Sequence, residues 1–304
     1  MAQIKLACFF FDSYIASPLR SAESMNGQSQ TTTESTLVTA QVRVSEKLDR
    51  AAELQHAGKL TEAAGELDTA LSIARATPYE IEFLMRIRLA MTLSDTYLLL
   101  DRIEDARALL ADETIFAEKI TQIMQATGNP SQKRAAMSGY LQVRDRATQV
   151  ALIGQAAPEI SVKQWINGGP VTLADARGRV VLLEFWATWC KPCHEMFPGL
   201  NQLYEKQRAR GLEIIALTRH YLAYRGTAES LSDELELMRK MVTEHAVSFP
   251  VGVAEDEHLQ TIYGANGLPT VVLIDRQGIM RYAGPGGDEP MFVRALEDYL
   301  KAPA

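Results

Sequence analysis

The sequence predicts an all-α helical-hairpin domain followed by an α/β domain, and two observations carry that prediction. From about residue 42 to 127, apolar side chains recur three and four apart with no strand-like alternation, the period of amphipathic helices. From residue 180 onward, short apolar runs ended by Gly, Pro or polar residues alternate with helical patterns, the order of an α/β sheet with right-handed crossovers. With 304 residues the chain has room for two domains of the usual ~100–200 residues each. A hydrophobic share of 47% against 23% charged supplies enough apolar surface to fill two cores. The expected organisation is a flexible lead over 1–41, a helical domain over 42–150 and the α/β domain over 151–304.

The lead is expected to be flexible because "SAESMNGQSQTTTESTLVTA" (21–40) is rich in Ser, Thr and Gln and nearly free of large apolar side chains. Ahead of it, "IKLACFFFDSYIA" has only Lys5 before it and is interrupted by Asp12, so it is expected to be at best a degenerate secretory signal or a misplaced start. "LAC" at Leu6 to Cys8 lies too near Met1 to be preceded by an apolar core. No apolar run approaches the ~18 residues of a spanning helix, so no transmembrane segment is evident.

Within the helical domain "LQHAGKLTEAAGELDTAL" and "YLLLDRIEDARALL" align without gaps. Gly58, Leu60, Ala63 and Leu67 fall opposite Asp101, Ile103, Ala106 and Leu110, an offset of 43 residues. Small residues where two helices must approach, with a tight turn between them, suit stacked helical hairpins. A breaker cluster, "ATGNPSQ" (126–132), ends the block, and "QKRAAMSGYLQVRDRATQVALIG" follows as one more helix.

In the α/β domain strands are expected at 180–187 ("VVLLEFWA"), 212–218, 249–253, 270–278 and 279–284, two of them almost continuously apolar as in a sheet covered on both faces. Helices are expected at 194–209, at 229–246 with Leu231, Leu235, Met238 and Val242 in step, at 255–263 and at 289–301.

The chemistry concentrates in "WATWCKPCHEMFP" (186–198). Of three cysteines, Cys8, Cys190 and Cys193, two stand three apart, too few for a stapling framework and at the spacing of a redox dithiol. Cys190 follows a strand and Cys193 opens a helix, so the helix N-terminus stabilises a thiolate at Cys190, and Lys191 adds positive charge beside it. Pro192 fits the first helical turn, where no N–H bond is lost. Glu184, alone in an apolar strand six residues before Cys190, is either a side chain that faces solvent or a buried carboxylate with a raised pKa that takes the proton from Cys193. Leu268, Pro269 and Thr270 ("GLPT") precede a strand. A cis Leu268–Pro269 bond would leave backbone groups free for an extended peptide, while a trans one would merely start the strand.

Together these residues resemble the thioredoxin superfamily. "EFWATWCKPC" followed about eighty residues later by "GLPT" carries the resemblance, and "IGQAAPEI", "VTLADARGRVVLLEFWATWC" and "VVLIDRQGIMRYAGPGG" are similar to the TlpA-like branch, thiol–disulfide oxidoreductases of bacterial envelopes. The resemblance covers roughly 153–302 and implies a thioredoxin-like fold, a central mixed sheet flanked by helices. It further implies Cys190 as nucleophile, Cys193 as resolver, Trp186 and Trp189 packed around the pair, Pro269 as the cis-proline, protein thiols or disulfides as substrates and the bacterial envelope as the compartment, with the cytoplasm as the alternative. No cofactor is expected. Two departures stand out: Met196 occupies the place where many relatives carry a Glu, with Glu195 one position early, and the usual signal or anchor is not evident. The helical segment resembles degenerate tetratricopeptide repeats, whose usual period is ~34 residues.

Cys190, Cys193 and His194 also spell C-x-x-C-H, a c-type haem attachment signature. That reading leaves Glu184, the strand before it and the "GLPT" segment unexplained. A zinc site lacks a second C-x-x-C or an H-x-x-x-H. The net charge of −7, with no dense basic run, gives nucleic-acid binding no support. The segment "TRHYLAYRGT" (218–227) is expected to rim the substrate groove or to be a solvent-exposed linker. The helical domain is expected to hold a protein partner or to cap the redox domain, and a rival reading makes partner binding the main task and redox chemistry accessory.

Overall fold

The computed structural model describes residues 31–222, 230–287 and 289–301. Five helices come first: α1 (Thr31–His56), α2 (Leu60–Ala76), α3 (Phe83–Leu99), α4 (Ile103–Thr127) and α5 (Pro130–Leu152). α1 begins at Thr31, inside the stretch expected to be a flexible lead. Ser and Thr cost a helix only roughly 0.5 kcal/mol per residue relative to Ala, so a helix nucleated further on extends backward over them. The run around Cys8 lies outside the described residues.

The two aligned segments form two similar turns. Gly58 has φ 72° and Asp101 φ 58°, both left-handed, and the next residues match as well: Lys59 at φ −90°, ψ 60° and Arg102 at φ −93°, ψ 58°. Asp is among the few side chains that tolerate this region, which explains how it stands where a glycine was expected. Ala63 and Leu67 of α2 and Ala106 and Leu110 of α4 are fully buried in one core shared by the helices. The breaker cluster at 126–132 also starts a helix. Asn129 accepts the N–H groups of Ser131 and Gln132, Gln132 accepts that of Asn129, and Pro130 takes the first helical position.

The α/β part comprises β1 (Gln164–Asn167), β2 (Val180–Phe185), α6 (Lys191–Gln207) with a 3₁₀ turn at Arg208–Arg210, β3 (Leu212–Arg219), α7 (Leu231–Glu244), β4 (Val251–Ala254), α8 (His258–Tyr263), β5 (Thr270–Ile274), β6 (Met280–Gly284) and α9 (Pro290–Lys301). The strand order is β1-β4-β3-β2-β5-β6. β2 runs parallel to β3 and β3 to β4, whereas β5 lies antiparallel to both β2 and β6, and β1 antiparallel to β4, so the sheet is mixed. Strand β1 was not anticipated: four residues are too few to show a period, and only pairing with β4 defines them.

Central β2 is buried along its whole length, and the strand alternation sorts its side chains. Val180, Leu182 and Trp186 point into a core filled by Phe197 and Leu200 of α6, Met238 of α7 and Phe292 and Leu296 of α9. Val181, Leu183 and Phe185 point the other way, toward Leu259 and Tyr263 of α8. The chain between α5 and the sheet is itself tied down, with Gly154 N–H donating to Met280 O and Met280 N–H to Gln155 O.

Candidate active site

The site is built where β2 gives way to α6. Trp186 N–H donates to Leu217 O at 3.0 Å, continuing the β2–β3 ladder one residue beyond the strand, and Cys190 N–H donates to Ala187 O at 3.0 Å to close the turn. Cys190 caps α6. Its carbonyl accepts the N–H groups of Cys193 (3.1 Å) and His194 (3.3 Å), and its Sγ accepts from Cys193 N–H at 3.3 Å. Pro192 stands in the first turn. Cys190 and Cys193 form a disulfide, with an S–S distance of 2.01 Å and 5.4 Å between Cα atoms. Cys193 is fully buried and Cys190 keeps 3% of its surface. The Cys193 amide, in the first turn of a 17-residue helix, is thus aimed at the Cys190 sulfur, where a helix N-terminus favours negative charge.

The supporting residues divide. Trp186 is buried with the cysteine pair and meets Phe197 edge-on, ring centroids 5.4 Å apart. Trp189 leaves 47% of its surface exposed and stands edge-on to Tyr221 at 5.6 Å. Lys191 points into solvent and pairs with Glu195 at 3.4 Å, so its charge is shared rather than aimed at the sulfur alone. The Leu268–Pro269 bond is cis. Thr270 stands in register with Phe185, which brings Leu268 and Pro269 beside the end of β2 from which the Trp186–Cys190 turn departs. Thr270 Oγ1 donates to Gly267 O at 2.6 Å, bracing that loop.

Glu184 does not face solvent; it is completely buried. It lies between Ala216 of β3 and Val271 of β5, on the sheet face that carries Leu182, Trp186 and the cysteine helix. Neither carboxylate oxygen has a hydrogen-bond partner among the described residues. Removal from water raises its pKa well above the usual 4.5. A second buried carboxylate in the chain is held differently. Glu113 of α4 is equally buried, but Arg86 meets it at 2.7 Å and Arg75 at 3.0 Å. One carboxylate is paired in the manner of a structural charge, and the other is buried with no partner among the described residues.

His194, the third member of C-x-x-C-H, turns inward: its Nε2 donates to Ala187 O at 3.0 Å, and its ring lies beside Trp186, Phe197 and His245. Burial is the main influence that holds its pKa below 6.5. Sequence reasoning assigned His194 no part, yet it fastens the start of α6 to the turn before it. Glu234 was also missed. It lies fully buried on α7, where Leu231, expected on the apolar face, is instead half exposed. Its carboxylate accepts the N–H groups of Tyr221 and Leu222, each at 2.8 Å, and faces His220 Nδ1 at 3.4 Å, fixing the segment that packs on Trp189. The available signal was a carboxylate four residues before Met238 on the same helical stripe. The rest of the 218–227 segment, from 223 on, lies outside the described residues.

The AhpC/TSA family matches residues 153–283. A thiol-disulfide oxidoreductase ResA of Bacillus thuringiensis is 35% identical over 152 residues, which are 49% of this chain and 77% of that protein. A protein of the same name from Oceanobacillus iheyensis is 30% identical over 151 residues, 49% of this chain and 71% of that one. Among solved structures, a thiol-disulfide isomerase of Corynebacterium glutamicum covers 48% of this chain and 98% of its own at 21% identity and a TM-score of 0.41.

Proposed function

The chain belongs to the TlpA-like branch of the thioredoxin superfamily and is a thiol–disulfide oxidoreductase, and from this premise we propose which residues carry the exchange. Cys190 is the attacking sulfur. As a thiolate held by the first-turn amides of α6, it attacks one sulfur of a substrate disulfide, the substrate S–S bond breaks, and the departing thiolate takes a proton from water. Cys193 resolves the mixed disulfide. Its thiol passes a proton to Glu184 in its carboxylate form, its sulfur attacks Cys190 Sγ, the second substrate thiolate leaves and takes a proton from water, and two electrons have moved from the dithiol to the substrate. The same steps in reverse oxidise a substrate dithiol.

The observation that supports this division most is the asymmetry of the pair: a slightly open Cys190 at the helix N-terminus, a closed Cys193, and an unpartnered Glu184, its pKa raised by burial, on the same face of the sheet. A carboxylate whose pKa burial has raised holds a proton more tightly than an exposed one, so in its ionised form it is the better acceptor for a thiol proton. Trp189, Leu268, Pro269 and Thr270 form the rim on which the substrate backbone lies, with Trp186 as the floor.

The substrates are protein thiols and disulfides. The compartment we propose is the bacterial cell envelope, by resemblance to the TlpA-like proteins; among the described residues no helix is long and apolar enough to cross a membrane. The helical half, which lies outside the matched residues 153–283, is proposed to contribute to the choice of protein partner.

Equilibration of the pure protein with graded ratios of reduced and oxidised glutathione, followed by tryptophan fluorescence, tests the proposal. A two-electron transition that disappears in Cys190→Ser is expected, and its midpoint states the direction of electron flow. Cys193→Ser should accumulate a stable mixed disulfide with a protein substrate. No transition in the parent chain, or trapping by Cys190→Ser instead, refutes the assignment.

A further inference from the structure

α5 closes the helical segment and packs against α8 and β6 of the α/β domain. Three of its polar side chains, Asp145, Arg146 and Gln149, are buried. Each of them has a partner more than a hundred residues further along the chain. Gln149 Nε2 donates to Gly264 O at 2.6 Å, and Asn266 Nδ2 donates to Asp145 Oδ1 at 3.1 Å. Arg146 Nη1 donates to Ala283 O at 2.7 Å and to Gln149 Oε1 at 3.1 Å, while Nη2 pairs with Asp95 of α3. Gly264 ends α8 at φ 62°, and a Cβ there would lie 2.3 Å from Asp145 O, a separation that glycine alone permits. Helix backbone and turn are therefore in direct contact.

The segment so held, Gly264 to Asn266, runs directly into Gly267, Leu268 and Pro269. The second anchor, Ala283, sits on β6 opposite Val272 of β5, the strand that follows Pro269. The helical segment thus holds both the chain leading into β5 and the strand β6 beside it. An extended peptide that docks by its backbone needs a rim already fixed in place, because any ordering left undone is charged against binding. Displacing the rim would strand buried polar groups, so each bond resists it.

We propose that α5 is a clamp, with Asp145, Arg146 and Gln149 as positioning residues that fix the Leu268–Pro269 edge for protein substrates without touching either sulfur. The proposal rests on the reading of Cys190 and Cys193 as the substrate-facing pair. It makes the helical half a determinant of protein-substrate docking at the redox site itself, through the rim rather than through a separate surface.

Full-length chains carrying Gln149→Met, and Gln149→Met with Asn266→Ala, lose one and two of the donors while keeping the cysteines and Glu184. The reduced proteins are assayed on insulin disulfides and on dithionitrobenzoate, a reagent too small to span the groove, and their midpoint against glutathione is measured. In the double variant the KM for insulin is expected to rise about tenfold with kcat, the dithionitrobenzoate rate and the midpoint unchanged; the single variant, which retains the Asp145 contact, is expected to show about threefold. An unchanged KM overturns the clamp, as does a parallel loss on both substrates, which reports general loosening. A parent chain inert toward dithionitrobenzoate overturns instead the reading of the cysteine pair on which the clamp depends.

Discussion

Glu184 shows what one carboxylate can do when the fold removes water and offers no partner. Its neutral form is favoured in the folded chain, so between the usual 4.5 and its raised folded value the native state holds a proton that the unfolded state has released. Stability therefore falls as pH rises through that window. Glu184→Gln removes the titration and is expected to gain stability over the parent as pH rises above the usual 4.5, read as a widening difference in denaturant midpoints. The same variant should resolve the mixed disulfide on the order of 100-fold more slowly, measured by quenched-flow trapping, because a positioned base is gone. An unchanged resolution rate refutes the relay. Sequence alone left Glu184 open between solvent and core; burial decides it, and burial is a property of what β3, β5 and α6 lay over the strand.

Among the elements, the two helical turns separate conformation from contact. A Cβ at Gly58 would meet nothing within 4 Å, so Gly58→Ala carries a purely conformational cost of about 1 kcal/mol for a left-handed alanine. Asp101 holds the same conformation with a side chain already present, so Asp101→Gly should be neutral or slightly stabilising. Thermal melts of the two variants are expected to move in opposite directions or to differ by several degrees. The capping box of α5 offers a second check: Asn129→Ala strands two N–H groups of the first turn and should cost about 1 kcal/mol in the same assay. These elements were legible because a helix and its caps are written within a few neighbouring residues. Strand β1 was not, since an edge strand of four residues is defined by β4, more than eighty positions away.

For the whole molecule, the two halves are joined by buried polar contacts rather than strung on a linker. Trp165, Trp186 and Trp189 all lie in the α/β part, so fluorescence reports its unfolding, while far-ultraviolet dichroism is dominated by the helices. The parent chain is expected to give coincident transitions by both probes. Arg146→Met removes the bonds to Ala283, Gln149 and Asp95 together, with a cost of about 2–4 kcal/mol and separation of the two midpoints. Coincident, unshifted melts in that variant would show that the contacts carry no coupling.

By itself the sequence determined the helical half, the α/β order and the cysteine site, because each depends on neighbours: a period of three to four residues, an apolar run, two sulfurs three positions apart at a helix start. The tertiary structure alone decided that Glu184 is sealed from water, that Glu234 fixes the segment beside Trp189, and that Asp145, Arg146 and Gln149 reach across to Asn266, Ala283 and Gly264. Those bonds join residues 115, 121 and 137 positions apart. No local pattern marks such a pair, since a polar side chain beside an apolar helical stripe looks the same whether it meets water or a carbonyl from the far end of the chain.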